Sequence, residues 1–221
     1  AAGARIEHHA CGRLGELELT SGSGSEDVFV LKLSPGGSPQ WAVSAGGAAN
    51  DRGVAIAVDA SENVYITGYY HGDANFGGTT LEGEPFADGF VAKLNKDGDW
   101  RWARQVSGPW DQRGSAIAFV PGDDSAVPPV PGSVLVGGAY TCDARFDTIV
   151  LHNFLCNASA ASDLFVARLD ADGTWKWALS GGNGNAGFDW IESMSARPNG
   201  ALYVSGAYRG STTIGGVPLA A

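Results

Sequence analysis

One seven-residue phrase is written three times in this chain: Asp27-Val-Phe-Val-Leu-Lys-Leu33, Asp88-Gly-Phe-Val-Ala-Lys-Leu94 and Asp163-Leu-Phe-Val-Ala-Arg-Leu169. The residues downstream of each copy recur as well. A turn leads to a tryptophan segment (Gln40-Trp41-Ala42, Arg101-Trp102-Ala103, Lys176-Trp177-Ala178), then to a Gly-rich loop. Two apolar segments close the unit, Val54–Val58 with Val64–Tyr69 in the first copy and their counterparts at 115–119 with 134–139 and 193–195 with 202–207. Self-similarity at this scale marks a repeat architecture. The phrases start 61 and then 75 residues apart. The extra length falls at 121–132, with Pro128, Pro129 and Pro131, and at 152–162. The chain therefore reads as one domain over 1–221: a partial repeat 1–26, then repeats 27–87, 88–162 and 163–221.

Each repeat reads as four short strands, a to d. In the first phrase Phe29, Leu31 and Leu33 alternate with Val28, Val30 and Lys32, the period of two of a strand. Asp-Gly and Asn-Gly pairs at 97–98, 172–173 and 199–200 suit the positive φ of tight turns. No stretch carries a helical period. The expectation is an all-β fold, and four-stranded antiparallel units repeated along a chain are the blades of a β-propeller.

The phrases Asp-x-Phe-Val-x-Lys/Arg-Leu, Trp-Ala, Asn50-Asp51-Arg52-Gly53, Ile56-Ala-Val-Asp59, Asn63-Val-Tyr-Ile-Thr-Gly68 and Asn75-Phe-Gly-Gly78 resemble the bacterial SBBP repeat, a β-propeller repeat. The resemblance runs over about residues 8 to 221. It implies a scaffold or protein-binding surface in an exported protein, placed outside the cell, on its surface or in the periplasm. Two departures stand out: Phe188-Asp-Trp190 replaces Asn50-Asp-Arg52 in the third copy, and the middle copy carries the Pro-rich insertion.

A net charge of −10 argues against nucleic-acid binding, which needs a basic footprint. No apolar run approaches the roughly 20 residues of a membrane-spanning helix, so no membrane insertion is expected. The 33 glycines fall at turns rather than in a low-complexity tract. The absence of an initiator Met or a signal peptide suggests a mature or trimmed chain. Cys142 and Cys156 flank the excursion 143–155, which fits a disulfide; the alternative is two thiols, and Cys11 is left over. Asn157-Ala-Ser159 matches a glycosylation sequon but carries little weight in a bacterial-looking chain.

Leu14 and Leu19 match Phe76 and Leu81, Phe146 and Leu151, and Ile214 and Leu219, always five apart. The chain thus holds three repeats, whereas closed propellers use about four to eight blades. The partners implied are further repeats of the same parent chain or other copies of itself, for instance two copies making six blades.

With strands running alternately up and down, the b–c loops and the d–a connections share one face. That face carries Asn50, Asp51 and Arg52, then Trp110, Asp111, Gln112 and Arg113, then Phe188, Asp189 and Trp190, with Tyr70, His71, Asp73, Tyr140, Cys142 and Asp143 alongside. Aromatics beside short polar groups suit a glycan or protein ligand. The plainer reading is that these acids and Arg tie blades together while the aromatics cover the core edge. Trp100/Trp102 and Trp175/Trp177, at spacing two, are expected on one strand face and in packing. The Asn95–Asp99 and Asp170–Gly173 segments resemble calcium loops but lack a distal carboxylate, so calcium is weakly supported, no cofactor or metal site is expected, and hairpin turns are the better reading. His8-His9 is a lone pair near a terminus, where fraying is the better reading than metal binding, and His71 and His152 have no His or Cys partner at ligand spacing. No nucleophile–base motif, phosphate loop or zinc motif appears. The expected function is a non-catalytic structural and interaction module; a lectin-like binder is the alternative, and an enzyme comes third.

Overall fold

In the computed structural model, residues 17, 19–21, 25–123, 125–126, 128, 130–153, 156, 161–182 and 187–219 are described. These residues form strands and turns without a helix. In chain order the strands are β1 (Val28–Leu33), β2 (Pro39–Gly47), β3 (Arg52–Val58), β4 (Val64–His71), β5 (Ala74–Phe76) and β6 (Thr79–Leu81). Next come β7 (Ala87–Leu94), β8 (Trp100–Val106), β9 (Gln112–Val120), β10 (Ser133–Tyr140), β11 (Asp143–Phe146) and β12 (Ile149–His152). The last six are β13 (Asp163–Asp170), β14 (Trp175–Gly182), β15 (Trp190–Ala196), β16 (Leu202–Ala207), β17 (Thr212–Ile214) and β18 (Val217–Leu219).

All strand pairing is antiparallel, and it divides the chain into four units. The first is β1-β2-β5-β6; the second is β3-β4-β7-β8; the third is β9-β10-β13-β14-β17-β18; the fourth is the pair β15-β16. The hairpin β11-β12 joins the second unit through the bridge Ser107↔Arg145. Each full sheet therefore takes strands c and d from one repeat and a and b from the next. The d–a connection supplies a further hairpin that extends the sheet of the preceding unit. Among the described residues no sheet closes on itself.

The units pack face to face on three cores. Phe76, Phe90, Tyr70 and Leu94 centre the first, between units one and two. Tyr65, Val91, Phe146, Phe165 and Leu169 centre the second. Ala116, Leu164, Val166 and Ile191 form the third, between units three and four. Alternation along β9 serves two of them: Ile117 and Phe119 belong to the second core and Ala116 to the third.

Bulges fix which side chain faces which unit. The register skips one residue at Gly53/Ala55, at the matching place in β9 opposite Gly137/Gly138, and at Ile191/Ser193. A second bulge, at Lys93/Leu94, pairs Trp102 with Lys93 but Trp100 with Leu94. It corrects the one-face expectation for the tryptophan pairs. A bulge inserts an unpaired residue and reverses the alternation, so Trp100 joins the first core and Trp102 the second. Trp175 and Trp177 divide in the same way between the second and third.

The hairpin turns have the expected chemistry. Gly98 and Gly173 have φ of 90° and 89°, a conformation that only glycine adopts without strain. Cys142 and Cys156 are joined by a disulfide across a separation of 14 residues.

Candidate functional site

The b–c loops and d–a connections meet, as the up–down order requires, and hydrogen bonds hold them. Asp51 is buried, with 1% exposure. Its Oδ2 accepts the Gly47 N–H at 2.7 Å and its Oδ1 accepts the His71 N–H at 3.1 Å. Asp51 thus ties β2 of the first unit to β4 of the second. Asn50 Oδ1 accepts the Glu26 N–H at 3.0 Å, and Arg52 pairs with Glu26 at 2.6 Å.

Loop side chains also tie the next two junctions, with Gln112 at the register position of Asp51 and Asp111 at that of Asn50. Asp111 Oδ1 accepts the Ala87 N–H at 3.1 Å, and its carbonyl accepts the Thr141 N–H at 2.9 Å. Arg113 pairs with Asp111 at 3.2 Å and lies 4.5 Å over the Tyr69 ring. Gln112 is fully buried and donates to the Thr141 and Asp143 carbonyls. Asp189 accepts the Arg209 N–H at 2.9 Å, and its own N–H donates to the Ser162 carbonyl.

A second set of acids lies outside the loop face, on the strands themselves. Asp88 and Asp163, which open two of the phrases, are buried. Burial pushes the carboxyls of Asp51, Asp88 and Asp163 up to about 6. N–H donors oppose the effect at Asp51 and Asp88, while the charge of Asp189 adds to it at Asp163. The recurrence of Asp at the head of each phrase is the signal the sequence offers; burial of that Asp is not visible there.

Of the aromatics, Tyr70 and Tyr140 are core residues. Trp110 is half-buried on Phe86, with ring centroids 4.5 Å apart. Phe188 and Trp190 are exposed, and the Trp190 indole N–H donates to Glu192. The candidate loop residues at 50–52, 110–113 and 188–190 therefore sit at three successive junctions and do not converge on one pocket. An open trough of about 930 Å³ takes in Glu26, Asp27, Asp51 and Arg52 together with Phe29, Val54, Ile56 and Tyr69 from β1, β3 and β4.

The two turns that resemble calcium loops are internally bonded. Asn95 Oδ1 accepts the Asp97 and Asp99 N–H groups, and Asp172 Oδ1 accepts that of Thr174. His152 pairs with Asp143 at 3.0 Å and the His71 ring with the Asn50 carbonyl at 2.8 Å. Among the described residues no group of three or more His, Cys, Asp or Glu could hold a metal ion. His8, His9, Cys11 and the Asn157 sequon lie outside the described residues.

The chain matches no protein-family model and no curated protein.

Proposed function

We propose that the chain is a non-catalytic structural and interaction module, whose units are blades of a β-propeller of the SBBP-repeat type in an exported or cell-surface bacterial protein. The observation that carries this reading is the commitment of the loop acids to the fold. Asp51, Asp111 and Asp189 each accept main-chain N–H groups that tie loops and units together. Recognition then falls to the large apolar side chains at the two ends of the array, where Phe29, Ile56 and Val58 on one side and Tyr203 on the other are exposed. Large apolar side chains left exposed together are a usual mark of a protein interface. The Cys142–Cys156 bond supports an oxidising compartment.

The exposed Phe188 and Trp190, flanking Asp189, favour one second reading, a glycan platform at the third junction. Titration with mono- and oligosaccharides, followed by tryptophan fluorescence, separates the two. The module reading expects no saturable change. A saturable change that Trp190→Ala abolishes would replace it with the lectin reading.

A further inference from the structure

The first and fourth units are complementary halves of one sheet. The first, β1-β2, holds strands a and b; the fourth, β15-β16, holds c and d. The joint that would unite them, d against a, is built twice inside the chain. β4 pairs β7 with Val64 opposite Leu94, and β10 pairs β13 with Val134 opposite Leu169. Transferring that register sets Leu202 opposite Leu33, Ser205 opposite Val30 and Ala207 opposite Val28.

Burial says the same of the side chains. Phe29 and Tyr203 are 62% and 61% exposed, whereas their counterparts Phe90, Phe165 and Tyr65 are 0%. Ile56 and Val58, at 57% and 56%, stand where Ile117 and Phe119 pack into the second core, with Phe119 stacked on Tyr65 at 5.4 Å. The trough between β1 and β3 is thus bounded by side chains whose counterparts elsewhere are covered by a c–d strand pair.

An independent observation comes from the turns. The Trp41 indole N–H and Lys32 Nζ both donate to the Lys96 carbonyl, in the a–b turn of the next unit. Trp102 and Lys93 both donate to the Ala171 carbonyl in the same way. The third pair at this place is Trp177 and Arg168. Arg168 Nε is buried and has no hydrogen-bond partner among the described residues. The carbonyl it matches is that of Pro35, in the turn between β1 and β2.

We propose that the ends of the array bind a second copy of this chain head to tail. β15-β16 of one copy fills the trough beside β1 of the other, and Trp177 and Arg168 of the first reach the Pro35 carbonyl of the second. This rests on reading the sheets as blades. Two copies joined at both seams complete six blades, within the four to eight of closed propellers, and leave no bare end of the kind a repeat array otherwise caps. Leu14–Leu19 shares its sequence phase with Ile214–Leu219, so one of these segments is surplus at each seam; deleting residues 1–20 is expected to leave the association intact.

Light scattering on a sizing column tests the proposal. The expected mass is twice the 22.8 kDa of one chain. Phe29→Lys and Tyr203→Lys, both at exposed positions, should each give a folded monomer by circular dichroism. Mixing the two should restore a dimer, because one seam of the mixed pair is unmodified. In a Cys11→Ser background, Val30→Cys with Ser205→Cys should cross-link between chains, and Val30→Cys with Val204→Cys, on opposite strand faces, should not. A monomer at every concentration overturns the proposal, as does a dimer that survives either lysine variant or cross-links equally in both cysteine pairs. The saccharide titration reads the loops rather than the seams, so its result bears on the module reading whatever the mass.

Discussion

Asp51 shows what a buried carboxylate does when it serves the fold rather than a reaction. It accepts two main-chain N–H groups from different strands, and burial still raises its pKa from 3.8 to about 6. Asp88 and Asp163 share that shift. A carboxyl whose pKa is higher in the folded than in the unfolded chain binds its proton more tightly when folded. Its contribution is therefore fullest below the unfolded value of 3.8 and declines as pH rises through about 6. Asp59 and Asp172 act in the opposite sense. Burial pushes Asp59 up, but hydrogen bonds from Asn63, Tyr65 and Ser61 together hold it below the ordinary range; the Thr174 N–H does so for Asp172. Their stabilisation is lost as pH falls through their lowered values. Thermal melts should then place the stability maximum near about pH 4, with Tm falling toward pH 7; a Tm that rises steadily to pH 7 contradicts this. Asp51→Ala leaves the Gly47 and His71 N–H groups without their acceptor, and urea titration should show a loss of about 1–3 kcal/mol. The same variant should decline less steeply between pH 5 and 7, since one of the three titrating groups is gone.

At the scale of elements, the recurring latch between a tryptophan and the next turn is the joint most open to test. Gly173 lies against Trp102, where an added Cβ would come within 3.0 Å of the indole, and the indole N–H reaches the Ala171 carbonyl at 3.2 Å. Trp102→Ala should cost about 3–5 kcal/mol in urea unfolding, whereas Trp102→Phe keeps most of the packing and should cost distinctly less. The disulfide closes a separation of 14 residues, so Cys142→Ser with Cys156→Ser should lower stability by about 3 kcal/mol, and reductant should do the same to the native chain. The strands and turns at issue were legible in the sequence. The triple phrase located strands a and b, and the Asp-Gly and Asn-Gly pairs located turns with positive φ at Gly98, Gly173 and Gly200. The hairpins β5-β6, β11-β12 and β17-β18 showed only as apolar pairs five apart, too short for a strand period. The division of the repeat into sheets could not be read, because pairing d with the next a is a long-range choice that leaves no local pattern. One bulged residue, Arg101, was enough to send Trp100 and Trp102 to different cores. The candidate loop face was legible as a place, since Asp51, Asp111 and Asp189 do sit at matching junctions. That two of these acids are buried, and that all three accept main-chain N–H groups, required the fold.

Across the whole molecule, stability should be graded rather than uniform. In a repeat array each unit rests on its neighbours, so local openings cost less at the ends than in the middle. The second core lies between the two most complete sheets. There Phe165 meets Phe146 at 5.2 Å, Phe146 meets Trp175 at 4.9 Å and Tyr65 stacks on Phe119. The third core is smaller and holds a bare strand pair, with Ile191 as its anchor and Ser115 donating to the Ile191 carbonyl. Hydrogen exchange on a chain carrying both Phe29→Lys and Tyr203→Lys, which isolates one copy, should reflect this order. Amides of β4, β7, β10 and β13 should exchange slowest, and those of β16 fastest among the strands. Adding Ile191→Ala should speed exchange in β15 and β16 and leave the central strands unchanged, because the loss is confined to a junction that already opens independently. Adding Phe165→Ala instead should speed exchange throughout, with a loss of about 3–5 kcal/mol on global unfolding. If Ile191→Ala lowers protection in β4 and β7 as much as in β16, the four units open as one cooperative body, and the graded account fails.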